Sequence, residues 1–364
     1  MIPFNDLARQ HQNLADPLSR ACEQVFQRGW FVLGAEGTAF EEEFAKWLDV
    51  PFVVGCASGT DALSLALMAA GIEPGDEVIT TALTAFPTIT AIQSIGAVPV
   101  CVDVEPNTGL LDPRQLPLAL SQRSKAIIPV HLYGRPCDLP SILAFAQEHN
   151  LGVVEDCAQS TGASISGRQS GGLGDFGCFS FYPTKNLGAC GDAGAVSCRT
   201  SEHAAKLRAL RNYGQSRRYF HDAVGINSRL DEIQAAILRI KLPYLCDWNQ
   251  RRANLAEVYH RELPGSILFD WSPHGLSCHH LFPLRIEQRD LVQIRLQKEG
   301  IDSLIHYPLP VPEQISFTGR STGHPNASAI CAQLLSLPLY PELTDLEQKV
   351  VISSLLKIIK ELQP

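Results

Sequence analysis

The sequence of 364 residues lacks the features that mark several common protein classes. It has no uninterrupted apolar segment of the length that a membrane span requires, and Met1 to Asp6 contain neither a basic start nor an apolar signal core. No GxGxxG motif follows an early strand, which argues against a nicotinamide-dependent enzyme. We therefore expect a cytoplasmic protein that has no membrane partner.

An excess of positive charge and paired cysteines are also missing. The formal net charge is −8, which argues against nucleic acid as a partner, because phosphate binding favours a basic surface. The 11 cysteines are scattered singly and none lies in a CxxC pair, so neither a zinc site nor a disulfide framework is indicated. We expect reduced, buried thiols and no metal site.

Short apolar segments alternate with amphipathic patterns in the first half of the chain. This alternation predicts helices at 37–48, 61–70 and 138–148, and strands at 52–55, 77–80, 98–102, 126–129 and 152–155. Strands separated by helices are typical of a mostly parallel sheet that is covered on both faces. We therefore predict an α/β fold.

The last third of the chain predicts a second, smaller α/β unit. Its elements are a long helical stretch at 229–262, a strand at 280–286, a helix at 289–299, an extended segment at 304–307 and a final helix at 344–361. We expect a large domain at 1–245 and a small C-terminal domain at 246–364.

The first chemical signal is the turn Ser58-Gly59-Thr60-Asp61, between a predicted strand and a predicted helix. Amide groups at a helix start and the positive end of the helix dipole suit a phosphate, and Gly59 lets the backbone come close. Ser, Thr and Asp are also ordinary helix caps, and the turn alone favours the cap.

The second signal is an apolar strand that ends in Asp156, with Gln159 three residues later. Ligands bind at the carboxyl ends of parallel strands, and a carboxylate there can keep a cationic ring nitrogen protonated. Gln159 could hydrogen-bond a second point of the same ligand. The alternative, that Asp156 caps the next helix, is at least as good on this evidence alone.

The third signal is Lys185, a single lysine in Ser180-Phe181-Tyr182-Pro183-Thr184-Lys185-Asn186-Leu187-Gly188. A desolvated lysine has a lowered pKa, so it can act as a neutral nucleophile and form a Schiff base. Glycines on both sides leave room for a flat cofactor. A lone loop lysine is normally a solvated charge, but three complementary sites in one chain argue against that interpretation.

These stretches resemble the DegT/DnrJ/EryC1/StrS family of nucleotide-sugar aminotransferases, which have the type I pyridoxal-phosphate (PLP) aminotransferase fold. The resemblance covers nearly the whole chain and includes 59–63, 129–134, 155–159, 180–186, 211–214, 225–236 and 305–308.

The resemblance implies a role for each matching residue. Lys185 binds PLP covalently, Asp156 pairs with its pyridine nitrogen, and Gln159 contacts its ring hydroxyl. The phosphate is held by Ser180, Gly59 and Thr60. Asn227 resembles the asparagine that reaches the phosphate from the neighbouring subunit, so we expect a homodimer.

One stretch departs from the family pattern. Many members have Thr-aromatic-x-Ala-Thr where this chain has Thr84-Ala85-Phe86-Pro87-Thr88. The aromatic side chain that stacks on the PLP ring would fall on Ala85. Phe86 is then the candidate to make this contact from a shifted position.

The resemblance is strongest to members that aminate a 3-keto group on a dTDP- or UDP-linked hexose, with L-glutamate as the donor. Tyr182, His306 and Tyr307 are then candidates for sugar contacts, although 306–307 could equally be a packed turn. Arg229 could touch the nucleotide phosphates or form an ion pair with Asp231 or Glu232. His280 could be a strand residue only.

Two other functions remain open from the sequence. One is a PLP-dependent sugar dehydratase or lyase, but related members that remove oxygen carry histidine at the position of Lys185. The other is a PLP-binding regulatory protein without turnover, against which Lys185, Asp156 and Gln159 all argue. We therefore predict a PLP-dependent sugar aminotransferase.

Overall fold

The computed structural model describes residues 1–271 and 273–362. Its helices are α1 Leu7–Asn13, α2 Ala15–Arg28, α3 Ala35–Leu48, α4 Gly59–Ala69, α5 Pro87–Ser94, α6 Leu116–Ala119, α7 Leu139–Glu148, α8 Ser201–Leu210, α9 Glu232–Lys241, α10 Leu245–Glu262, α11 Arg289–Lys298, α12 Pro325–Gln333 and α13 Asp345–Leu362. Its strands are β1 Phe52–Cys56, β2 Glu77–Thr81, β3 Val98–Val102, β4 Ser124–Ile128, β5 Gly152–Asp156, β6 Ser164–Ile165, β7 Arg168–Gln169, β8 Phe176–Ser180, β9 Gly194–Cys198, β10 Gln215–Arg217, β11 Phe220–His221, β12 Phe282–Arg285, β13 Arg320–Ser321 and β14 Leu334–Leu337.

An eight-stranded sheet forms the centre of the molecule, in the order β1-β9-β8-β5-β4-β2-β3-β13. The strands from β8 to β13 run parallel, and β9 is antiparallel to both β8 and β1. The interior strands are almost fully buried, because helices cover both faces of a parallel sheet. The predicted α/β fold is therefore confirmed.

Two predicted elements differ from the structure. The helical stretch at 229–262 is two helices, α9 and α10, separated by a 3₁₀ turn at Leu242–Tyr244. Pro243 lies in that turn, where its missing amide hydrogen and fixed φ interrupt the α-helical hydrogen bonds. The extended segment at 304–307 pairs only through Leu304, which bridges Ser336, and Pro308 then ends any further pairing.

A second hydrophobic core lies around the antiparallel pair β12 and β14 and is covered by α10, α11 and α13. Ile2 joins this core, and its amide nitrogen donates to the carbonyl of Gly300 at 2.7 Å. The chain also returns to the large sheet, since β13 pairs with the edge strand β3 and α12 packs against the first core. Since Ile2 joins the second core and Phe4 packs against the first, the N-terminal segment, residues 2–5, lies between the two cores.

Glu232 fixes the start of α3 from far along the chain. Its buried carboxylate accepts the amide hydrogens of Gly34, Glu36 and Gly37 at 2.8–2.9 Å. These amides have no acceptor within their own helix, so an anion there stabilises the helix start. In the part of the chain that is described, every helix is too short or too polar to cross a membrane.

Candidate active site

The carboxyl ends of the parallel strands and the start of α4 surround a cavity of about 260 Å³, which we call the cofactor cavity. Its wall brings together residues that the sequence places far apart: Ser58, Gly59, Thr60, Leu63, Thr84, Ala85, Pro87, Thr88, Val130, Asp156, Ala158, Gln159, Ser180, Tyr182, Lys185 and Asp192. This edge of the sheet is where ligands of such folds bind.

The start of α4 forms one end of the cofactor cavity. Ser58 is the N-cap residue, and its Oγ accepts the amide hydrogen of Asp61 at 3.1 Å. A Cβ atom on Gly59 would lie 2.6 Å from Cβ of Ser180, so only glycine lets these two backbones approach. Ser58 therefore caps the helix, and because Gly59 and Thr60 also line the cavity, the cap does not exclude the predicted phosphate site.

Asp156 ends β5 and lies at the floor of the cofactor cavity. Its Oδ2 accepts the hydroxyl hydrogen of Thr88 at 2.9 Å, and its Oδ1 accepts the amide hydrogen of Ala158 at 3.1 Å. Burial raises the pKa of Asp156, and these two hydrogen bonds and the charge of Lys185 oppose that shift. No helix begins directly after Asp156 in the described chain, so the helix-cap alternative is wrong.

Glu155 and His131 form a buried support beneath Asp156. Glu155 accepts amide hydrogens from Gly171, Leu173 and Gly174 at 2.7–2.9 Å and lies 3.0 Å from Nε2 of His131. His131 Nδ1 accepts the amide hydrogen of Cys137, so the ring proton sits on Nε2 and is donated to Glu155. His131, Glu155 and Cys157 lie close enough to suggest a metal site, but these bonds already occupy His131 and Glu155.

Lys185 lies where the cofactor cavity meets a second cavity, and it lines both. Burial lowers the pKa of its ammonium group to about 8, although the carboxylate of Asp156 acts in the opposite direction. At pH 7 roughly a tenth of this lysine is therefore the neutral amine, the form that attacks a carbonyl carbon, whereas an unperturbed lysine has far less.

The second cavity has a volume of about 250 Å³, and we call it the substrate cavity. Phe4, Asn5, Gln159, Tyr182, Thr184, Lys185, His280, Leu281, Leu304, His306, Tyr307 and Leu339 line it. Both cores contribute to this wall, and the N-terminal segment covers it through Phe4, whose ring centroid lies 5.5 Å from that of His306.

Gln159 connects the two cavities through hydrogen bonds whose direction is fixed. Its Oε1 accepts the amide hydrogen of Tyr133 at 2.7 Å, so its Nε2 must donate to the hydroxyl oxygen of Tyr307 at 3.0 Å. The second Nε2 hydrogen stays available to a ligand, and the Tyr307 hydroxyl can itself donate. The hydroxyl of Tyr133 donates to the carbonyl of His306, which holds the 306–307 segment against the cavity.

Comparison with known proteins supplies the family. Residues 13–356 match the DegT/DnrJ/EryC1/StrS aminotransferase family. The chain belongs to this family.

Relatives within the family are similar over nearly their whole length. The UDP-N-acetyl-3-dehydro-α-D-glucosamine 3-aminotransferase of Acidithiobacillus ferrooxidans is 44% identical over 347 residues, 94% of each chain. The dTDP-3-amino-3,4,6-trideoxy-α-D-glucose transaminase of Streptomyces venezuelae is 42% identical over 348 residues, which cover 94% of this chain and 92% of that one. The crystal structure of S. venezuelae DesV in complex with a ketimine intermediate superimposes with a TM-score of 0.96 at 40% identity, over 100% of this chain and 99% of that one.

The cofactor of this family is pyridoxal 5′-phosphate, and the cofactor cavity fits it. The amides and hydroxyls around Gly59 suit the phosphate, the carboxylate of Asp156 suits the pyridine nitrogen, and the free amide hydrogen of Gln159 suits the ring hydroxyl. Lys185 supplies the amine that the aldehyde requires.

Three residues predicted for the site lie outside both cavities of this chain. Phe86 packs against the core of the large sheet, while its neighbours Ala85 and Pro87 line the cofactor cavity. Phe86 is the N-cap residue of α5 and is partly buried against that core, so its stacking on the ring stays a prediction. Asn227 is exposed on the surface of the chain.

Arg229 is the third predicted site residue that lies outside both cavities. It donates to Oδ1 of Asn212 at 3.1 Å, and its guanidinium carbon lies 5.6 Å from the centroid of the Tyr213 ring. Among residues 1–271 and 273–362 it forms no ion pair with Asp231 or Glu232, so that alternative is wrong. Glu232 instead binds the amides at the start of α3.

The sequence analysis missed several residues that the fold brings to the site. The hydroxyl of Thr88 donates to Asp156, and the hydroxyl oxygens of Thr84 and Thr88 are 2.9 Å apart. Asn5 lines the substrate cavity. Both threonines lie in stretch 84–88, which differs from the family pattern. Their spacing of four residues at the start of a helix could have indicated that the two hydroxyls lie side by side. No local pattern marks Asn5, because its position depends on the packing of Ile2 in the second core.

Proposed function

We propose that this protein transfers an amino group from L-glutamate to the 3-keto group of a hexose linked to dTDP or UDP. The observation that carries this proposal is the position of Lys185, whose pKa is lowered to about 8, at the junction of two cavities. One cavity fits PLP, and the other offers hydroxyl, imidazole and amide groups to a polar substrate.

Each residue of the cofactor cavity has a separate proposed role in the reaction. Bound PLP supplies an electron sink for the pair that remains when a proton leaves the carbon beside the nitrogen. The Nζ amine of Lys185 would take that proton and return it to the cofactor, and the sugar half-reaction would use the same two transfers in reverse. Asp156 keeps the pyridine nitrogen protonated, and Gln159 orients the ring hydroxyl. Ser180 acts with Gly59 and Thr60 to hold the phosphate.

The substrate side of the proposal uses the second cavity. Tyr182, which is 52% exposed and lines both cavities, is placed to contact the sugar together with His306 and Tyr307. The names of the relatives support a nucleotide-linked 3-keto-sugar. Arg229 lies outside the cavities of its own chain, so its proposed contact with the nucleotide phosphates is made in a neighbouring subunit.

The proposed active unit is a cytoplasmic homodimer in which Asn227 of one protomer reaches the phosphate site of its partner. The exposure of Asn227, away from its own cofactor cavity, supports this arrangement. The 11 cysteines are unpaired, which is typical of a reducing compartment. The second core consists mostly of residues after 245, which supports the proposed division near that residue, while Ile2 joins this core and α12 and β13 return to the large sheet.

The test is the visible absorption of the purified protein with PLP, before and after L-glutamate. We expect glutamate to bleach the band of Lys185-bound PLP and a nucleotide-linked 3-keto-hexose to restore it, while Lys185→Ala shows neither change. A band that ignores every amino donor would favour a regulatory protein. Ammonia release without an amino-sugar would favour a lyase or dehydratase.

A further inference from the structure

His280 lines the substrate cavity beside Lys185, and the roles described above do not use it. Its side chain is almost fully buried, with 5% of the residue exposed. It lies just before β12, a strand of the second core, while Lys185 lies in the loop between β8 and β9 of the large sheet. A hydrogen-bond chain that reaches His280 through Asn186, the residue next to Lys185, decides which nitrogen of the imidazole carries its proton.

The hydrogen-bond chain begins at Asn249, on α10. Its Nδ2 donates to the carbonyl oxygen of Thr161 at 3.0 Å, and since a carbonyl can only accept, this bond fixes the orientation of the amide. Oδ1 of Asn249 therefore accepts from Nδ2 of Asn186 at 2.7 Å. The same Nδ2 also donates to the carbonyl of Cys278 at 2.9 Å, which fixes the orientation of Asn186 independently.

These two anchors leave Oδ1 of Asn186 as an acceptor, 2.9 Å from Nδ1 of His280. Nδ1 must therefore carry the hydrogen, and in the neutral ring Nε2 has the free lone pair. Burial lowers the pKa of His280 well below its usual value, and the charges of Lys185 and Arg252 act in the same direction. The imidazole is thus a neutral acceptor that is held in one tautomer.

We propose that His280 binds the keto-sugar, by accepting at Nε2 a hydrogen bond from a sugar hydroxyl. This inference rests on the proposed function and adds a recognition residue to it. A lone pair attracts a hydroxyl and repels the carboxylates of glutamate, so His280 acts in the sugar half-reaction and not in the glutamate half-reaction. The Tyr307 hydroxyl supplies a complementary donor on the same wall.

Two variants of His280 distinguish recognition of the sugar from structural support of Lys185. In His280→Asn the amide nitrogen takes the place of Nδ1, so the bond to Asn186 is kept and only the Nε2 acceptor is lost. In His280→Gln the longer amide brings an oxygen near the place of Nε2. The control is His279→Asn, because His279 stacks on Trp271 at 5.1 Å and has a positive φ of 49° that asparagine tolerates.

The half-reactions are followed separately by the visible absorption of the cofactor. L-glutamate is the probe for the first half-reaction. For the second, the probe is either the keto-sugar UDP-N-acetyl-3-dehydro-α-D-glucosamine, which accepts the amino group, or the amino-sugar dTDP-3-amino-3,4,6-trideoxy-α-D-glucose, which gives up its amino group in the reverse reaction. We expect His280→Asn to lower kcat/KM for the sugar by about tenfold, the effect of one lost hydrogen bond in a buried site. Glutamate bleaching should stay within about twofold, and His280→Gln should recover part of the sugar rate.

Two results would overturn the proposal. Equal loss in both half-reactions would make His280 a support for Asn186 and Lys185 only, and an unchanged sugar rate would remove it from recognition altogether. If the unmodified protein is bleached by glutamate but responds to no keto-sugar, the proposed function itself fails and the role of His280 falls with it. The wild-type sugar response therefore distinguishes the two failures.

Discussion

The reactivity of Lys185 follows from its surroundings and gives a prediction about pH. Burial lowers its pKa to about 8, so the amine is protonated below that pH and neutral above it. The rate at which the cofactor-free protein binds PLP should therefore rise with pH through about 8, whereas an unperturbed lysine would titrate near 10.4. Stopped-flow absorption at a series of pH values measures this. A rate that keeps rising in parallel with a pKa near 10 would contradict the account.

Gly59 gives a second prediction at the scale of one atom. A methyl group there would lie 2.6 Å from Cβ of Ser180, which forces the phosphate turn away from β8. We expect Gly59→Ala to weaken PLP binding by about tenfold or more, since overpacking of this kind costs about 1–3 kcal/mol. Equilibrium titration with PLP measures the affinity.

Gly152→Ala is the matched control for this variant. Gly152 lies in β5 of the same sheet, and a Cβ atom there meets nothing closer than 3.7 Å. Its PLP affinity should equal that of the unmodified protein. Equal affinities for all three proteins would show that the approach of Gly59 to Ser180 does not shape the phosphate site.

Helix α3 depends on a residue that its own sequence does not contain. Glu232 accepts three amide hydrogens at the start of α3, so we expect Glu232→Gln to lower the free energy of unfolding by about 2 kcal/mol. Urea denaturation measures this free energy of unfolding. Glu42→Gln, on the exposed face of the same helix, should change stability by less than about 0.5 kcal/mol. Similar values for both variants would mean that Glu232 does not fix this helix.

Elements with strong local patterns were predictable, and long-range contacts were not. The apolar strands end within two residues of their predicted limits, because burial on both faces requires continuous apolar runs. Asp156 was recognisable because it ends such a strand, and Lys185 because it is a single lysine among apolar, small and glycine residues. The bonds of Asn186 to His280 and of Gln159 to Tyr307 join residues 94 and 148 positions apart, and no local periodicity encodes them. Strand β13 is two polar residues, too short to leave a pattern.

At the scale of the whole molecule, shared active sites give a prediction about mixed dimers. If Asn227 serves the partner's site, then Lys185→Ala and Asn227→Asp protomers combine into dimers with one intact site and one doubly altered site. Random mixing should then restore about a quarter of the wild-type sites, although each variant alone is impaired. Co-expression followed by an activity assay measures the recovery. No recovery above the separate variants would place Asn227 in its own chain's site.

The central claim is that nitrogen moves from glutamate to a nucleotide-linked sugar through Lys185. The most direct measurement supplies ¹⁵N-labelled L-glutamate, PLP and UDP-N-acetyl-3-dehydro-α-D-glucosamine, and detects the label by mass spectrometry. We predict a labelled UDP-linked 3-amino-sugar and one equivalent of 2-oxoglutarate, with no product from Lys185→Ala. If 2-oxoglutarate forms while the label leaves as ammonia, or if no keto-sugar, dTDP- or UDP-linked, becomes labelled, the protein is not a sugar aminotransferase.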